Sequence, residues 1–204
     1  MSYTMSVDRV IQLARCDDFP EVTIRQMFAD HNATELPLDV LATLPIPLQV
    51  KVFLGLQDEF FTAEEFRELA VAFAKRAATE NPTVENDYFV GKTLEVYEQA
   101  VQATRTLKLG AALDAQLSQL VTGYRGAIKA LTEPLSKALQ STSGEQLQTI
   151  AAYEAVWFAG YESQGIACRN AASCAVASVP KPEADGVLQW VLDNAVAVTQ
   201  ARAA

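Results

Sequence analysis

Apolar residues recur at three- and four-residue intervals along almost the whole chain, the spacing of helices buried along one face. Val7, Val10, Ile11 and Ala14 follow it, and Ser6 is placed to cap a first helix running to about Cys16. Pro20 occupies the first-turn position of a second helix carrying Val22, Ile24, Met27 and Phe28. The stretch from Glu35 to Pro47 contains Pro37, Pro45 and Pro47 and predicts a connector with one short helical turn. A third helix is predicted from about Leu48 to Phe60.

Thr62-Ala63-Glu64-Glu65 is a capping box, in which the threonine oxygen and the Glu65 carboxylate satisfy the first free amides of a helix. That helix aligns Phe66, Leu69, Ala70, Phe73 and Ala77 and ends before Asn81-Pro82. The next, from about Asp87 to Thr104, aligns Val90, Leu94, Tyr97 and Val101. Residues 108–140 predict one helix or two, weakened by Gly123 and Gly126 and interrupted at Pro134. A second capping box, Ser143-Gly144-Glu145-Gln146, opens a helix with Tyr153, Trp157 and Tyr161 at every fourth position. Gly165 separates it from a small-residue helix ending near Pro180, and a last helix covers roughly 183–201. No segment alternates as a strand does. The expectation is an all-α fold, a single domain over residues 1–204 built as a bundle or irregular array of about eight or nine helices.

Composition divides this picture in two. Half of the 204 residues are apolar and a fifth are charged, which excludes a disordered tail and a membrane protein. The formal charge is −9, against the basic face that a general nucleic-acid binder needs. Residues 1–104 hold 17 acids and 8 bases, while 105–204 hold 8 of each. The whole surplus therefore lies in an acidic N-terminal half, followed by a neutral, alanine-rich half. Residues 147–179 carry only Glu154, Glu162 and Arg169 as charged groups, so they predict central core helices or, alternatively, the self-association surface of a phage or bacterial structural or assembly subunit. The first 16 residues have no apolar signal core, no window approaches a membrane span, and Cys16, Cys168 and Cys174 show no pairing pattern. A reducing cytoplasm is expected.

Several short patterns are tested by what their chemistry would require. Asn86 to Thr93 (N-D-Y-F-V-G-K-T) looks like the end of a phosphate loop, but a helical segment without a preceding strand gives no cradle. Gly160 to Gly165 is one residue off a nucleophile elbow, and the single histidine, His31, lies far away in the polar half. His31 and Glu35 are four apart and could share a helical face, but a zinc site recruits three or four ligands, and a solvated helix end accounts for both. Cys168 and Cys174 read as small buried thiols, and the aromatic stripe with Trp190 reads as core. Nothing calls for a cofactor.

The acidic constellation is richer. Glu65 and Glu68 on one helix, and Glu95 and Glu98 on a later one, are pairs three apart that two adjacent helices can aim at magnesium. The arrangement resembles the E-x-x-E…E-x-x-D pattern of MazG-like all-α nucleoside-triphosphate pyrophosphatases. That resemblance implies metal-assisted attack of water on a phosphate bond. At 100° per residue, however, Glu68 lies opposite Phe73, and Glu95 points away from the Leu94/Val101 stripe. Carboxylates aimed outward make a solvated face.

Val50 to Ala78 (V-K-V-F-L-G-L-Q-D-E-F-F-T-A-E-E-F-R-E-L-A-V-A-F-A-K-R-A-A), then Asn81-Pro82 and Thr93-Leu94-Glu95-Val96-Tyr97, resembles the opening of alanine-rich putative immunity proteins of bacteria and phages. Those proteins run on into alanine-rich helices much as Ala151-Ala152-Tyr153-Glu154-Ala155-Val156-Trp157 does here. The resemblance implies a non-enzymatic protein that neutralises a partner. Together with the charge, it favours an interaction protein meeting a basic partner through Asp58, Glu59, Glu64, Glu65 and Glu68.

Overall fold

A computed structural model describes residues 3–13, 20–106, 144–161 and 163–202, with helical positions 119, 122, 123, 126 and 130 standing singly between them. Apart from those positions, the segment 108–140 expected to be helical lies outside the described residues, as do the cap at Ser143, Cys16 and Glu162. The fold is all-α: the described residues form ten helices, eight of them seven residues or longer, with one two-stranded sheet. They divide into two compact units, residues 63–187 and residues 1–62 with 188–204.

In the first unit, β1 (Thr4–Ser6) pairs antiparallel with β2 (Glu35–Pro37), placing Thr4, Met5 and Ser6 opposite Pro37, Leu36 and Glu35. This sheet corrects the reading of a chain without strands. Three-residue strands show a single in-out alternation, too little to stand out from helical spacing. The alternation is nevertheless real, since the central pair, Met5 and Leu36, is buried while Glu35 and Pro37 are exposed. Helix α1 (Val7–Leu13) follows directly, with Ser6 Oγ accepting the Arg9 amide at 3.3 Å as its cap.

Helix α2 (Glu21–Asp30) buries Ile24 and Phe28, one turn apart. Pro20 precedes it rather than entering its first turn, and its carbonyl accepts the Thr23 amide. The C-terminus closes through Asn32, whose φ of 52° is left-handed. Asn32 N–H reaches the Ala29 carbonyl and Ala33 N–H the Phe28 carbonyl, so a Schellman turn satisfies two terminal acceptors. Helices α3 (Leu38–Leu41) and α4 (Leu48–Gly55) complete the segment. Helix α4 stops five residues before the predicted Phe60, and the Gln57 amide takes the Phe53 carbonyl that further helix would have used.

In the second unit, α5 (Ala63–Thr79) starts and stops where the capping box and Asn81-Pro82 place its ends. After α6 (Pro82–Glu85) come α7 (Tyr88–Thr106), α8 (Gly144–Ala159) and α9 (Gln164–Ala177). Helices α5, α8 and α9 pack on one another, and α7 packs on α5 and α8. Many of the residues these helices bury are small: Ala70, Ala74 and Ala77 from α5, Ala152 and Ala155 from α8, and Ala167, Ala171 and Ala175 from α9. Alanine at every fourth position leaves a shallow stripe that lets helix axes approach at the close end of the usual 8–10 Å range. The charge-poor stretch 147–179 thus supplies much of this core, with its remaining described positions half-buried or exposed. A 3₁₀ turn at Lys181–Glu183 leads into α10 (Ala184–Ala201), whose Val191, Leu192 and Ala195 are buried in the first unit.

Candidate functional site

The five carboxylates assigned to partner binding divide between the units. In the first, Asp58 and Glu59 occupy the turn that follows α4, Asp58 exposed and Glu59 half-buried. Glu59 accepts the guanidinium Nε of Arg9, tying this turn to α1, while Arg9 Nη1 reaches Gln12 Oε1 at 2.9 Å. Glu59 therefore acts first as an internal partner. In the second unit, Glu64, Glu65 and Glu68 stand on the first two turns of α5, with Glu64 exposed and the other two half-buried. Carboxylates there also stabilise the helix, because the N-terminal amides carry partial positive charge.

Glu95 and Glu98 are both exposed on α7, and each has a lysine partner: Lys92 at 2.7 Å and Lys75 at 2.5 Å. No group of three or more metal-binding side chains occurs among the described residues, so Glu65, Glu68, Glu95 and Glu98 are not gathered around a cation. His31 is the C-cap of α2, and Glu35 lies in β2, so the helical face suggested for them does not exist. The segment resembling a phosphate loop is the turn before α7 and its first residues, with no strand in front of it. The elbow-like Gly160 to Gly165 falls at the break between α8 and α9.

Sequence reasoning assigned no role to Asp87, which organises the start of α7. Its Oδ1 accepts the amides of Phe89 and Val90, and its Oδ2 accepts the Tyr153 hydroxyl at 2.8 Å. Burial and this carboxylate push the Tyr153 phenol up to about 12, since ionisation would put two negative charges side by side. An aspartate just ahead of a helical pattern is itself a start signal. Next to it, Tyr88 and Phe89 are 71% and 56% exposed and meet edge to face at 5.8 Å.

The remaining stripe is partly core. Tyr153 is buried, whereas Trp157, Phe158 and Tyr161 form a half-exposed cluster with ring centroids 5.2–5.7 Å apart. Cys168 is fully buried and its thiol is pushed up by desolvation. Cys174 is pushed up to about 12, by burial first and then by the charge of Glu154, whose own carboxyl is raised by burial. These are thiols held neutral, the opposite of an activated nucleophile.

Among the described residues no helix is long and apolar enough to cross a membrane. No protein-family model matches the chain, and neither a curated protein nor a solved structure matches it.

Proposed function

We propose that the protein is a non-enzymatic cytoplasmic interaction protein, of the immunity or inhibitor kind, that engages a basic protein partner through its acidic N-terminal half. One observation carries this reading. Of the 8 bases in residues 1–104, Arg9, Arg25, Lys75, Arg76 and Lys92 are held in ion pairs with carboxylates of the same half. Five of the eight positive charges are thus engaged within this half, while Asp30, Glu35, Asp39, Asp58, Glu64 and Glu85 are exposed. A surface with that imbalance attracts cationic partners, speeds their encounter and penalises acidic ones.

The test is capture of the partner from the native host, followed by measurement of its association rate with the purified chain. Raising salt from about 50 to 500 mM shortens the Debye length from roughly 14 to 4 Å and should slow association at least about tenfold. Replacing Glu64, Glu65 and Glu68 together by glutamine should slow it further at low salt and have little effect at high salt. An acidic partner, or a rate indifferent to salt, refutes the proposal.

A further inference from the structure

We draw no further inference here: the strongest candidate, the exposed Tyr88–Phe89 pair at the start of α7, is an unpartnered apolar patch, and nothing in the structure shows what covers it.

Discussion

The hydroxyl of Tyr153 donates to Asp87 Oδ2 at 2.8 Å, joining the middle of α8 to the residue that starts α7 across 66 positions of sequence. The same carboxylate caps α7 through its other oxygen, so one side chain sets both where the helix begins and where it docks. Tyr153→Phe should cost about 1.5–3 kcal/mol, the range for a hydrogen bond to a charged acceptor. Asp87→Ala should cost about 1 kcal/mol more, because the cap is lost as well. In urea unfolding, the double variant should show a coupling of roughly 1 kcal/mol at unchanged m-value. Additive effects would mean that the two groups do not act as a pair.

Alkaline pH should weaken the fold in a defined window. The folded-state value of Tyr153, about 12, lies above the ordinary phenol value near 10, so the fold favours the neutral form. The stability it supplies is complete below about pH 10 and is lost as pH rises through about 12. Cys174 behaves in the same way from its ordinary value near 9, so the decline should begin above about pH 9. Titration of phenolate absorbance should show a late phase that Tyr153→Phe removes. An identical titration in that variant would contradict the assignment.

Glu154 carries a desolvation cost as a carboxylate, which raises its folded value above that of the unfolded chain. Its charged form opposes folding, so Glu154→Gln should stabilise the protein at pH 7. Below the carboxylate range both side chains are neutral and the gain should vanish. Thermal unfolding at the two pH values distinguishes this from a packing effect, which would persist in acid.

The buried thiol of α9, Cys168, should be inert in the native state, whereas Cys174 is only partly buried. In a background with Cys16 and Cys174 replaced by serine, Cys168 should react with a chromogenic disulfide reagent at pH 8 only on the timescale of opening, and at once in denaturant. Rapid labelling of Cys168 in the native protein would contradict its burial in α9.

Gly55, at the end of α4, lies close against two buried side chains. A Cβ there would stand 3.1 Å from Leu38 Cδ1 and 3.3 Å from Leu192 Cδ1. Both leucines are at most 2% exposed, so the crowding cannot escape toward solvent. Alanine gains up to about 1 kcal/mol of helix propensity, but overpacking costs about 1–3 kcal/mol. Gly55→Ala should therefore destabilise by about 1 kcal/mol, read as a lower urea midpoint. A higher midpoint would show that the leucines can repack.

What could be read from the sequence follows the range of each interaction. Helix α5 is legible at both ends because its start at Thr62 and its stop at Asn81-Pro82 are local signals. The burial of Ala167, Ala171 and Ala175 follows from their spacing. Helix α4 was overextended because Leu56 and Phe60 continue the apolar rhythm past the turn. The β1–β2 pairing stayed hidden because its strands are three residues long and Thr4 meets Glu35 at a separation of 31. The acidic residues could be counted but their commitments could not. Glu59 is taken by Arg9, 50 positions away, and composition does not reveal such a choice.

The membership of the first unit sets an order of synthesis. Residues 63–187 contain every element of the second unit without interruption, whereas residues 1–62 need 188–204 to be complete. Leu192 lies against Gly55, and Arg202 places its guanidinium over the Tyr3 ring while donating to the Phe60 carbonyl at 2.8 Å. On the ribosome, residues 1–62 therefore wait for one wall of their core until residues 188–204 have been translated. Domains usually mature in the order of translation. Here the first unit can be completed only after residues 63–187 have been made.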